Sequence, residues 1–87
     1  LPIYVDRLRV FDPRRACGLP TCHLATDGSL EELHAFARTI GVPSLAFHGD
    51  AKFPHYDLRE RHRALAVAHG ALEVSSKELV RILTGRR

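Results

Sequence analysis

Two hydrophobic periods divide the chain. Ile3-Tyr4-Val5 is a β-branched and aromatic run, which predicts a short opening strand ending at Asp6. Thr21 to Ala25 predicts a second strand carrying His23, and Asp27-Gly28 a turn after it. The period then becomes helical: Leu30, Leu33, Ala37 and Ile40 share one face, with His34 at its edge. Ser29 and Glu32 form a capping-box pair at the start, and Gly41 and Pro43 end the helix. Ser44 to Lys52 is ambiguous, because Leu45-Ala46-Phe47 suits a short strand or an irregular apolar plug. A second helix is expected from Asp57, read as an N-cap with Glu60 as its partner. Ala64, Leu65, Val67 and Ala68 supply its apolar face, and Gly70 ends it. Leu72-Glu73-Val74 reads as a third strand. Ser75 with Glu78 caps a last helix docked by Leu79, Val80 and Leu83, with Val74 and Leu79 in staple positions.

The order β-β-α-(β)-α-β-α describes an α/β fold: one small domain over residues 1–87, a short sheet with about three packed helices, and a frayed basic tail at 84–87. The first strand and the last strand-helix unit can lie side by side in that sheet. Ligands of open sheets bind beyond the strands' carboxyl ends, which makes Asp6 and the start of the last helix candidates for that edge. A chain of 87 residues buries a modest core, so dimerisation or another homo-oligomer would be unsurprising. At 45% hydrophobic and 26% charged, the composition is that of an ordinary globular domain. No apolar run approaches the ~20 residues of a membrane span. Charge interrupts the opening residues too early for a signal peptide, so the expected compartment is cytoplasmic.

Charge adds one feature. The formal net charge is +3, and arginine far outnumbers lysine. Arginine forks suit phosphate and carboxylate, although a solvated surface explains the same excess. Arg59 and Arg63, one turn apart on the second predicted helix, are the candidate phosphate-binding pair. Residues 11–20 read as loop. Cys17 and Cys22 could close a ring, or with His23 resemble a zinc-site fragment, but the spacing is wrong for a zinc knuckle and free thiols are the favoured reading.

Candidate chemistry centres on Phe53-Pro54-His55-Tyr56-Asp57-Leu58, where an imidazole, a phenol and a carboxylate follow a proline. His55, Asp57 and His34 are the candidate catalytic residues. His23, His34, His55 and Asp6 are the candidate ligands of a divalent metal, because imidazoles and carboxylates from separate elements are what such a site or an acid–base pair requires. Each has a plain structural alternative: His34 as core rim, Asp57 as a cap, Asp6 as a strand end, His23 as a loop hydrogen bonder. The expected arrangement has His34 and His55 approaching each other, with Asp57 capping the second helix and orienting His55. At least one imidazole of such a pair should titrate below ~6.5. His62 and His69, ~10.5 Å apart along one helix, are read as surface residues, and His48 as loop.

Tyr4-Val5-Asp6, Cys22-His23-Leu24, Glu32-Leu33-His34-Ala35-Phe36-Ala37, Pro54-His55-Tyr56-Asp57-Leu58 and Ala66-Val67-Ala68-His69-Gly70-Ala71 together resemble a family of small bacterial and phage proteins, domain of unknown function 4031. The resemblance runs through residues 2–83 and implies no activity. Leu45-Ala46-Phe47-His48 stands where a Trp-Phe-Gln-like segment is expected.

Three function classes follow. The first is a metal- or acid–base-dependent enzyme acting on a phosphate-bearing small molecule. The second is an accessory protein binding nucleic acid weakly and without sequence preference through its arginines. The third is a structural or interaction module. Six aromatic residues without basic interleaving give little material for base stacking. Helix-turn-helix, glycine-rich phosphate-loop and Ser-His-Asp signatures are missing from the sequence.

Overall fold

The computed structural model describes residues 2–10, 12–14 and 16–85. Five strands form one mixed sheet in the order β3-β4-β2-β1-β5, with three α-helices packed on it. In chain order these are β1 (Ile3–Val5), β2 (Cys22–Thr26), α1 (Leu30–Thr39), β3 (Phe47–His48), β4 (His55–Leu58), α2 (Glu60–Ala68), β5 (Leu72–Glu73) and α3 (Ser76–Thr84). The expected α/β class is borne out. So is the placement of the last strand, since β5 pairs parallel with β1 through Tyr4–Leu72 and Val5–Glu73. The other pairings, β1–β2, β2–β4 and β3–β4, are antiparallel.

Strand alternation divides the side chains between two cores. Ile3, Val5, Cys22, Leu24, Tyr56 and Leu58 point to one face, where Leu33 and Ala37 of α1, its C-cap Ile40 and Ala66 of α2 cover them. Tyr4 and Ala25 point to the other, where Leu79, Ile82 and Leu83 of α3 and the preceding Val74 cover them. Helices on both faces make three layers. α3 covers its face only in part, and the uncovered part holds a cluster of histidine and aspartate side chains.

The caps at Ser29 and Ser75 form as expected. Ser29 accepts from the Glu32 amide at 3.2 Å. Ser75 and Glu78 make the full reciprocal box, and Val74 and Leu79 flank it as a staple. Past α1, Gly41 adopts φ +81°, a conformation that a side chain would strain.

Asp57 does not cap the second helix. Arg59 is the N-cap of α2, with no side-chain cap bond, and Asp57 lies inside β4. The energetic reason is burial. Tyr56 and Leu58 are both sequestered as alternate strand residues. Burying one such side chain contributes about 1.5–3 kcal/mol, against ~1 kcal/mol for a cap. Three smaller expectations also change. Ala66, rather than Ala64, Leu65 or Ala68, is the buried residue of α2. Val80 of α3 stays half exposed. Thr84, expected in the frayed tail, is still helical. Within the expected loop at 11–20 the chain makes a 3-10 turn at Ala16–Gly18, while Phe11 and Arg15, like Leu1, Arg86 and Arg87, lie outside the described residues.

Candidate metal centre on the open sheet face

The polar face is built by register. β2 sets His23 opposite Asp57 of β4, and β3 sets His48 opposite His55. Asp6, the residue after β1, donates its backbone amide to the His23 carbonyl at 3.3 Å, which continues the row to a fourth strand. Because alternate strand residues face the same side, His55 and Asp57 emerge together.

Asp6 anchors the row. It is 1% exposed, and its carboxylate accepts from the His23 amide at 2.6 Å, from His23 Nδ1 at 2.8 Å and from Ser76 Oγ at 3.2 Å. Burial alone would raise its pKa, but the His23 side-chain and backbone hydrogen bonds, the His23 charge and Ser76 together hold it below the usual aspartate value. The expected role of Asp6 at the sheet edge, beside the start of the last helix, therefore has a geometric counterpart. His55 is fixed differently: its Nδ1 donates to the Phe53 carbonyl at 2.8 Å.

Asp57 lies between two imidazoles. His55 Nε2 is 3.3 Å from Oδ1, and His48 Nε2 is 2.9 Å from Oδ2. The rings of His48 and His55 stack at 5.2 Å, and those of His23 and His55 meet edge to face at 4.7 Å. The hydrogen bond to Asp57 raises the His55 pKa despite burial, with help from the Phe53 carbonyl and the two aspartate charges. The hydrogen bond from His55 lowers the pKa of Asp57, against its own partial burial. One ligand atom each from His23, His55 and Asp57 lie within 4.8 Å of one another. Two imidazoles and a carboxylate at that spacing match the donor set of a catalytic transition-metal site with open positions.

The sequence expectations divide here. His23, His55 and Asp57 come within ligand distance of one another, whereas Asp6, expected as a fourth ligand, is outside that group and accepts from His23 Nδ1 behind it. His34 does not join them. It projects from α1 onto the opposite sheet face, with its Nδ1 2.7 Å from the Tyr56 hydroxyl and its ring edge-on to Phe47 at 4.7 Å. The expected His34–His55 pair is therefore absent, because Tyr56 and His55 are consecutive in a strand and point to opposite faces. The expectation of a lowered imidazole pKa fails at His55, because its hydrogen bond to Asp57 outweighs burial. Arg59 and Arg63 do not pair either. Arg59 lines the cavity beside His48 and Asp57. Arg63 instead donates Nε to the Asp6 carbonyl at 2.8 Å and Nη1 to Glu73 at 3.1 Å, tying α2 to the ends of β1 and β5.

His48 is the residue that sequence reasoning missed, while Ser76 falls at the start of the last helix, a candidate region without a named residue. Strand β3 is two residues long, too short to show a period. The signal that was present is His55-x-Asp57, an i, i+2 pair that shares a face only in a strand. Cys22 and Cys17 are free thiols, as expected. Cys22 points to the face opposite His23, which removes it from any shared ligand set.

The fold and this face define a three-layer α/β domain with a His/Asp cluster on the uncovered part of its sheet. The chain belongs to the family described as Protein of unknown function (DUF4031), which matches residues 3–86. No curated protein and no solved structure matches it. Among the described residues, no helix is long and apolar enough to cross a membrane.

Proposed function

We propose that this chain binds one divalent transition-metal ion through His23, His55 and Asp57 and uses it to hydrolyse a phosphate-bearing substrate. One observation carries the reading: each imidazole is oriented through Nδ1 by a fixed oxygen, Asp6 Oδ2 for His23 and the Phe53 carbonyl for His55, both at 2.8 Å. An imidazole that donates from Nδ1 in its neutral form carries its lone pair on Nε2. Such outer partners are the usual supports of metal-ligating histidines. Without metal, a proton on His55 Nε2 satisfies Asp57, and a metal ion would replace that proton.

A bound ion with open positions lowers the pKa of its water toward ~7. Held by His23, His55 and Asp57, such an ion would supply an activated water for hydrolysis of a phosphate ester. His48, which faces the same cavity, would carry a proton to the departing ester oxygen. Arg59 at the cavity edge suits the phosphate oxygens.

A metal-free acid–base reading has its own support in the contacts of His48 and His55 with Asp57, at 2.9 and 3.3 Å. The nucleic-acid reading keeps Arg59 but not Arg63, which is engaged with Asp6 and Glu73. Elemental analysis and calorimetric titration of chelator-treated protein with Zn2+, Mn2+ and Co2+ separate these readings. One equivalent bound by the wild type and lost in His23→Ala and His55→Ala is the expected result. Unchanged binding in those variants, or none in the wild type, rejects the metal centre. Phosphatase activity that survives chelation favours the acid–base route. Salt-resistant, sequence-selective binding to DNA or RNA would promote the nucleic-acid reading.

A further inference from the structure

Two cavities meet at the imidazoles. The larger, about 530 Å³, contains the polar side of the cluster, with His48, Asp57 and Arg59 in its wall. The second, about 330 Å³, extends from Asp6 and Ser76 along the underside of α3. Its wall is of a different kind, formed by Ala25, Phe53, Leu79, Val80 and Leu83. His23, His55 and Ala51 line both cavities. The same two rings therefore border an ionic compartment and an apolar one.

The apolar compartment arises from the sequence in a simple way. Ala25 follows His23 by two residues on β2 and shares its face, and its small side chain leaves depth beneath α3. Leu79 and Leu83 are one helical turn apart and present one stripe to that space. Val80 stands at 49% exposure and also lines the cavity. Arg9 and Lys52 in the same lining add positive charge. An apolar cleft of this size, with a few polar groups at one end, has the form of a binding site for a single ring system.

We infer that this cavity receives an apolar, ring-sized group on the same substrate whose anionic end lies over the His/Asp cluster. The substrate class is then an aryl or comparably apolar phosphate ester, and not a small polar phosphate. The assignment of the anionic end rests on the proposed metal centre; the assignment of the apolar end rests on the second cavity alone.

The test uses two probes with the same head and no hydrolysable ester: phenylphosphonate and methylphosphonate. Calorimetry on the Zn2+-loaded chain should give at least about tenfold tighter binding of the phenyl compound, a gain of ~1.4 kcal/mol. Val80→Trp should bring the ratio of the two affinities to about one. Val80→Ala should keep the phenyl preference and extend it to naphthylphosphonate. Thermal melts of both variants establish that they fold. Equal affinities in the wild type, or a ratio indifferent to residue 80, overturn the inference. If the wild type binds no Zn2+, the proposed metal centre fails, and the methyl resonances of Leu79 and Leu83 decide the cavity separately. Shifts caused by phenylphosphonate and not by methylphosphonate support the inference, and no shift with either rejects it.

Discussion

His34 and His55 are both partly buried histidines, both reach β4, and both have a ring nitrogen 2.7–2.8 Å from an oxygen. They differ in what else surrounds them. His34 meets a phenol and sits among the rings of Phe47 and Tyr56. His55 meets a carboxylate, a second imidazole edge-on and a third in stack. The first setting holds α1 against the sheet through neutral contacts. The second gathers charge that can change its protonation or accept a cation. Burial and one short hydrogen bond are common to both, so neither tells the two apart. The density of titratable neighbours does.

The largest expected effect falls on ligand binding. Asp57→Asn should weaken Zn2+ binding by more than about 100-fold. Asp6→Asn, which removes the charged acceptor that orients His23 and binds Ser76, should weaken it by about 10–100-fold. His34→Ala should leave it unchanged in the same titration. A large loss from His34→Ala would dissolve the distinction between the two faces.

Double mutants test the comparison as coupling. His48 and His55 share Asp57, so their alanine variants should depart from additivity in stability by about 0.5–3 kcal/mol. His34 and His55 lie on opposite faces, and their alanine variants should add within about 0.5 kcal/mol. Chemical denaturation of the four proteins in each cycle measures both.

The dependence of stability on pH follows from the shifts on the open face. The pKa of His55 is raised in the folded chain. Its contribution to the metal-free protein is fully present below the unfolded value of ~6.5 and is lost as pH rises through the folded value. Asp57 and Asp6 are shifted down. Their contributions are present above the unfolded value of ~3.9 and lost as pH falls through the depressed ones. The metal-free chain should therefore be most stable between those limits, and Asp57→Asn should flatten both slopes in denaturation measured across pH. Zn2+ affinity should move the opposite way from the His55 contribution, rising as that proton leaves.

The smallest expected effect is Tyr56→Phe. It removes the hydroxyl beside His34 and keeps the ring, and should cost about 0.5–1.5 kcal/mol in chemical denaturation. Zn2+ binding should not change.

Much of this was legible in the residues, and the failures have physical causes. Ser75 with Glu78 and Ser29 with Glu32 marked two helix starts because a capping hydroxyl must lie next to free amides. Asp57 with Glu60 has the same spacing but does not cap, because burial of Tyr56 and Leu58 on the sheet outweighs one such bond. That error hid β4 and sent His55 toward the wrong partner. Asp6 was readable as the end of β1, since the strand run stops there. His48 was not, because a two-residue edge strand is defined only by the partner it pairs with. Arg63 looked like a surface cation because a helical wheel does not show a carbonyl brought in from residue 6.

The two cysteines follow the same division of faces. Cys17 is exposed, while Cys22 is fully enclosed behind His23, with its thiol pushed up to about 12 chiefly by burial. At neutral pH an alkylating reagent should consume Cys17 at once. Cys22 should be modified only when the sheet opens. Its labelling rate is thus a clock for scaffold breathing, and a bound ion or ligand on the far side of β2 should slow it without touching the thiol.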